Sequence, residues 1–285
     1  MNFERPPENL NKPEQKEKTP LRLRIALKGW ETAAVKSVEV DGRENLKEIP
    51  PGKKIIIATT HITDLDLPIV AYELSRDFNI VITHKSTHRS LKDDPASYIG
   101  THIAGIDNFI PLDYKQGETI GKFNPDNFVP ADKALEEGKA IVIAAHDPAK
   151  NGKMPENGGY GAAYMSGIES DAIILPVAVD IESENNDVGN ASHLIKTVAA
   201  RPKAKMTIGE PLFLDKIEEM SEMENIMDKR KNGEALNSGE NDKFHKLADR
   251  LRKRSSLIME TLAAMVPPEK RGSWNVEKIN SEDNL

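Results

Sequence analysis

Apolar positions along the chain fall into short runs separated by charged and turn-forming residues, and the runs differ in kind. Lys53-Lys54-Ile55-Ile56-Ile57-Ala58, Ala140-Ile141-Val142-Ile143-Ala144 and Ile173-Ile174-Leu175-Pro176-Val177-Ala178-Val179 are apolar without alternation. A strand buried on both faces needs apolar side chains at consecutive positions, so these three predict strands covered by helices on each side. Shorter strand candidates are Val38 and Val40 before Asp41-Gly42, Ile80-Val81-Ile82, and Lys205 to Gly209. Ile110-Pro111-Leu112 is a further one, sent to a sheet edge by a proline that cannot donate to a ladder. Helical spacing lies between them: Asp66 to Asp77 carries Leu67, Val70, Ala71 and Leu74, and Pro130 to Gly138 stops at its glycine. Phe244 to Met265 carries Leu247, Leu251, Ile258, Leu262 and Met265, and Pro267-Pro268 ends it. Leu21 to Trp30 fits two patterns, the alternation of a strand and the stripe of a basic amphipathic helix, and periodicity does not choose. Strands interleaved with helices predict an α/β domain with a mostly parallel central sheet flanked by helices.

The predicted domain organisation is a flexible polar arm over residues 1–20, with four prolines and no apolar period, followed by one domain over 21–285. Within it, about residues 215–243 read as a charged insertion or exposed helix, and no repeat of fixed period is present. The length of 285 residues supports a core without a disulfide or metal staple. Cysteine is absent, which excludes a thiol nucleophile, a thiolate metal site and a disulfide framework. With 39 Lys+Arg against 46 Asp+Glu the formal charge is −7, which argues against nucleic acid as a partner because phosphate neutralisation needs excess cations. No secretory pattern and no run of 18 apolar residues is present, so the expected location is the cytoplasm, with peripheral contact at the inner face of a membrane. Two basic segments could make that contact: Leu21 to Trp30, and the Arg250, Arg252, Lys253, Arg254 cluster of the last helix.

The densest candidate chemistry is Thr59-Thr60-His61-Ile62-Thr63-Asp64-Leu65-Asp66-Leu67-Pro68. A histidine just past a buried strand, followed by acids at a helix start, lies where open α/β sheets bind ligands. His61 can take a proton from a hydroxyl while a carboxylate holds its ring and stabilises the imidazolium that forms. The same residues also fit a purely structural reading, with Thr63 or Asp64 capping the helix and His61 a satisfied loop histidine. His84, His88 and His102 are too loosely spaced to read as metal ligands, and no metal is predicted.

The order of segments resembles the glycerolipid acyltransferases, the phospholipid/glycerol acyltransferase family that includes 1-acylglycerol-3-phosphate acyltransferase. The resemblance rests on His-x4-Asp at His61 and Asp66 after a hydrophobic strand, and on Val38 to Leu46 ahead of it. It continues through Phe109-Ile110-Pro111-Leu112-Asp113, Gly138 to Ile143, Gly161-Ala162-Ala163, Ile174 to Ala178 and Gly209-Glu210-Pro211-Leu212, covering roughly residues 35–215. It implies a glycerolipid acyltransferase-like fold and transfer of a fatty acyl group from acyl-CoA or acyl-acyl carrier protein to a hydroxyl of a lysophospholipid or related precursor. His61 would be the general base and Asp66 its orienting partner, with Asp64 left as a cap, no cofactor beyond the thioester co-substrate, and no covalent acyl-enzyme.

Two departures qualify what the resemblance implies. The arginine expected in the second motif is missing: Asp113 is followed by Tyr114 and Lys115, so a bidentate fork gives way to a point charge. The Glu-Gly-Thr of the third motif is replaced by His146-Asp147-Pro148, whose proline has no N–H to offer an anion. Tyr114, Lys115, His146, Asp147 and Gly161 are therefore the substrate-binding candidates, with His146 and Asp147 a replacement site for the altered motif or else a divergent loop. The departures also leave open a catalytically silent lipid-binding or scaffolding member of the same fold, and a thioesterase with water as acceptor.

Overall fold

The structure, a computed structural model, describes residues 18–85, 95–113, 124–169, 171–182, 188 and 191–274. The greater part of the predicted polar arm, together with His88, Tyr114 and Lys115, lies outside the described residues. The elements run α1 (Leu21–Ala34), β1 (Ser37–Asp41), β2 (Lys54–Thr59), α2 (Asp66–Leu74), β3 (Ile80–Lys85), α3 (Pro95–Ala104), β4 (Phe109–Leu112), α4 (Val129–Glu136) and β5 (Ala140–Ala144). They continue with α5 (Gly161–Ile168), β6 (Ala172–Ile181), α6 (Ala191–Ala200), β7 (Lys203–Ile208), β8 (Leu212–Phe213), α7 (Met220–Lys231) and α8 (Ser238–Met265).

The sheet order is β1-β7-β6-β2-β5-β3-β4, with β8 beside β6. β6, β2, β5, β3 and β4 form a parallel block. β7 and β8 run antiparallel to β6, and β1 lies parallel to β7. β4, with Pro111, is an edge strand as predicted. The unalternated runs are explained by two cores, one on each face. Ile56 and Ala58 point to the face covered by α4, α5, α7 and α8. Ile55 and Ile57 point to the face covered by α1 and α2. The result is the expected α/β architecture, a mostly parallel sheet flanked by helices.

Packing resolves the double pattern at Leu21 to Trp30 in favour of helix. A strand would have put Leu21, Leu23, Ile25 and Leu27 on one face. In α1, Leu23 and Leu27 are buried while Leu21 and Ile25 are 68% and 63% exposed. The chain is tethered just before α1, because the buried Thr19 hydroxyl donates to the Phe78 carbonyl at 2.6 Å and accepts the Ile80 N–H at 3.0 Å. Residues 18–20, assigned from sequence to the arm, thus belong to the fold at the start of β3.

The charged stretch over about residues 215–243 is not an exposed insertion. Met220, Met223, Ile226 and Met227 of α7, with Ile217 just before it, are buried in the core, while Glu224 accepts the hydroxyl of the buried Tyr164 at 2.6 Å. Four apolar residues at helical spacing suffice to seat a helix whose mean hydropathy is low. The last helix begins six residues before Phe244, at Ser238. There Asn237 and Glu240 exchange bonds in a capping box, each satisfying the other's backbone N–H. Because Met223 is 1% exposed, Met223→Ala is expected to lower the unfolding free energy by about 2–5 kcal/mol. Glu218→Ala on the exposed side should change it by less than about 0.5 kcal/mol; denaturant titration of both variants checks this.

Candidate active site

β2 and β5 are parallel neighbours, Ile56 to Thr59 lying beside Ile141 to Ala144. After β2 the chain turns onto the face of α2; after β5 it passes to α5 on the opposite face. Neighbouring parallel strands whose continuations part in this way leave a crevice at their carboxyl ends, the usual ligand position in open α/β sheets. His61 and His146 each stand two residues past the end of their strand, on either side of it.

The loop from Thr60 to Asp66 is organised by one carboxylate. Asp66, the first residue of α2, is fully buried. Its Oδ2 accepts the backbone N–H of Ile62 at 2.7 Å and of Thr63 at 3.3 Å, and its Oδ1 accepts the Thr63 hydroxyl. The Thr60 hydroxyl also bonds to it, while taking the Val179 N–H from β6 at 3.0 Å. All these donors favour the anion, but burial outweighs them and pushes the Asp66 carboxyl up to about 7. His61 is half-buried, with Nδ1 3.3 Å from the Thr63 carbonyl. Asp64 does not cap α2: the N-cap position is Leu65, without a side-chain cap, and the Thr63 hydroxyl accepts the Leu65 N–H at 3.2 Å. Of the two residues the sequence offered for the turn, Thr63 takes the amide, its hydroxyl also donating to Asp66, which corrects the reading of Asp64 as the cap.

The loop after β5 is stitched to this one. Ala145 N–H donates to the Thr59 carbonyl at 2.8 Å and Ala149 N–H to the His61 carbonyl at 2.9 Å. His146 Nε2 accepts the N–H of His61 at 3.1 Å. The His146 Nδ1 lies 2.7 Å from the Asp147 carbonyl, which can only accept, so the proton sits on Nδ1. Burial lowers the His146 pKa to about 4 and keeps the ring neutral. With both nitrogens engaged inside the fold, His146 has no ring atom left to offer a ligand in this arrangement; Asp147 is half-buried beside it. Gly161, the first residue of α5, is a packing position. A Cβ there would sit 2.7 Å from Ile143 Cδ1 and 2.9 Å from Phe128 Cε1. The preceding glycines brace the loop: Gly159 N–H donates to the Ala145 carbonyl at 2.6 Å, and the Ser255 hydroxyl of α8 donates to the Gly159 carbonyl at 3.0 Å. A Cβ on Gly158 would lie 2.5 Å from the Ser255 hydroxyl, so α8 can close on this loop only over glycine.

Thr60 and Thr63 were missed as functional positions by the sequence reading, although both flank the His-x4-Asp spacing. Other strongly shifted acids lie elsewhere: Glu31 faces Glu73 between α1 and α2, and Asp132 of α4 faces Lys54 and Glu169 at the amino end of the strands, both raised to about 7 first by burial. His102 Nδ1 lies 2.8 Å from the Tyr98 carbonyl and His84 packs edge-on to Phe109. Among the described residues no group of three or more His, Asp or Glu is placed to hold a metal ion, and no helix is long and apolar enough to cross a membrane. The arginines of α8 have partners within the chain, although Arg250 and Arg252 remain about half exposed. Arg250 pairs with Glu219 at 2.6 Å, Arg252 with Asp249, and Arg254 bonds to the Ser166 hydroxyl and the Asp215 carbonyl.

No protein-family model matches the chain, and no curated protein matches it. Among solved structures it is similar to the 1-acyl-sn-glycerophosphate (LPA) acyltransferase PlsC from Thermotoga maritima, at 15% identity and a TM-score of 0.44, over 76% of this chain and 80% of that one.

The electrostatics of Asp66 are testable. Its folded-state pKa lies above the ordinary 3.8, so the native state binds this proton more tightly than the unfolded chain. The resulting stabilisation is complete below pH 3.8 and is lost as pH rises through about 7. Thr63→Val removes one donor to the anion and leaves the Leu65 N–H unmatched. It should raise the Asp66 midpoint further in a carboxyl ¹³C titration and lower stability by about 1–3 kcal/mol.

Proposed function

We propose that this protein is an acyltransferase that moves a fatty acyl group from acyl-CoA or acyl-acyl carrier protein to a hydroxyl of a lysophospholipid or related lipid alcohol. The observation that carries the reading is the imidazole of His61 at the crevice mouth with Nδ1 against a carbonyl oxygen. A carbonyl only accepts, so Nδ1 keeps the ring proton and Nε2 carries the basic lone pair. His61 Nε2 takes the proton of the acceptor hydroxyl as its oxygen attacks the thioester carbonyl. The tetrahedral intermediate then collapses, the C–S bond breaks, and the thiolate recovers the proton from the imidazolium and departs as a thiol. Asp66 orients His61 indirectly, by holding the backbone of Ile62 and Thr63, while the Thr63 carbonyl, rather than the carboxylate expected from the sequence, faces the ring at Nδ1. Lys115 supplies a cation for the acceptor headgroup in place of the missing arginine. His146 supports the base rather than touching the substrate.

The acceptor is reached from a lipid surface through α1 and α3. Leu21, Ile25, Ile99 and Ile103 are all more than half exposed, and a groove of about 350 Å³ runs between the helices, lined by Leu21, Arg22, Ile25, Ala26 and Ile103. Arg22, which also caps the His102 and Ile103 carbonyls, and the exposed Lys28 give this apolar face a basic margin suited to anionic headgroups. With the α8 arginines engaged internally, α1 is the better of the two basic segments for this role.

Incubation with radiolabelled acyl-CoA and a panel of lysolipids tests the chemistry. Wild-type protein should transfer label to lipid, and His61→Ala should lose about 10²- to 10⁴-fold in rate. Label released only as free fatty acid would favour a thioesterase, and lipid binding without turnover a silent lipid-binding member of the fold. For the surface, Ile25→Glu should reduce co-flotation with phosphatidylglycerol vesicles by at least about tenfold, the order expected for one buried isoleucine. Unchanged flotation would remove α1 from the interface.

A further inference from the structure

Both backbone polar groups of His61 are held by the loop that follows the neighbouring strand. Its N–H is accepted by His146 Nε2 at 3.1 Å, and its C=O accepts the Ala149 N–H at 2.9 Å. The first belongs to the peptide unit before the His61 Cα and the second to the unit after it. Fixing both directions fixes the Cα–Cβ vector, leaving only the two side-chain torsions, and the Thr63 carbonyl restrains the ring at Nδ1. The acceptor must reach across from β5, stay uncharged in a dry site, and present a lone pair of fixed position. His146 meets all three requirements: it is 3% exposed, its tautomer is set by the Asp147 carbonyl, and burial keeps it neutral. Behind this loop, Gly159 bonds the Ala145 carbonyl and Ser255 bonds Gly159, which carries the bracing into α8.

We infer that His146 is a positioning residue for the general base, acting with Ala149 as a two-point backbone clamp on His61. The inference rests on the acyltransferase reading for its kinetic consequence, but not for its structural one. The loop that replaces the expected Glu-Gly-Thr would then serve the base from behind rather than the substrate from the front. Misplacement of a reacting group by a fraction of a bond length slows chemistry without weakening substrate binding, because the binding surface is elsewhere.

Nuclear magnetic resonance of uniformly ¹⁵N-labelled wild-type protein reads the bond directly. An N–H···N hydrogen bond transmits a nitrogen–nitrogen scalar coupling, and one is expected between the His61 amide and His146 Nε2. Its absence would overturn the clamp without any variant being made. In His146→Leu the His61 amide should exchange with solvent at least about tenfold faster while Ile57 and Val142 keep their protection. kcat should fall about tenfold to a hundredfold, with KM for thioester and acceptor unchanged. His146→Gln, whose side-chain carbonyl can accept the same N–H, should recover most of both losses. Unchanged His61 exchange in His146→Leu, or equal kcat losses in the Leu and Gln variants, would refute the role. If wild-type protein transfers no acyl group at all, the acyltransferase reading fails alone, and the coupling and exchange measurements still decide the clamp.

Discussion

The site depends on a single constraint of chain path: β2 and β5 lie side by side, point the same way, and send their continuations to opposite faces of the sheet. Strands that part in this way place their carboxyl ends where open α/β sheets usually bind ligands. Each strand then contributes a loop with a histidine two residues past its end. The two loops face each other closely enough for two backbone–backbone bonds, Ala145 to Thr59 and Ala149 to His61, and one from the His61 N–H to the His146 ring. The two loops are therefore held rigidly against each other.

Burial acts on two titratable groups of that wall in opposite directions for the same reason. Taking a charge out of water is costly, so the Asp66 carboxyl rises and the His146 imidazole falls. Their surroundings differ. Asp66 is met by two backbone N–H groups and two hydroxyls, which offset part of the upward push of burial. His146 meets one donor and one acceptor, which is the complement of a neutral ring. Hydroxyls are suited to surround Asp66 because they supply hydrogen bonds without adding a formal charge, and Thr60 and Thr63 do this from either side of His61.

Much of the fold was legible because consecutive apolar residues and helical stripes are local signals. β2, β5, β6, α2, α4 and the body of α8 lie where their patterns place them, and Pro111 marks a sheet edge. The misreadings share a cause. α7 hides four core residues among charges that average to a polar segment, and α1 carries two periods at once, so each needed a packing partner before its buried side could be recognised. Asp64 looked like a cap because caps are defined by residue type near a helix start, whereas the Leu65 amide is taken by whichever oxygen the turn brings near, here that of Thr63.

From the sequence alone come the alternation of strands and helices and the place of His61 and Asp66 between a buried strand and a helix, because both depend on residues near one another in the chain. Strand order, the parting of the two crossovers and the meeting of His146 with the backbone of His61 were decided only by tertiary structure. His61 and His146 are 85 positions apart in the chain, and no local pattern encodes which strand will lie beside which. That neighbour relation, set by how two cores close over the faces of one sheet, buries His146 against the backbone of His61.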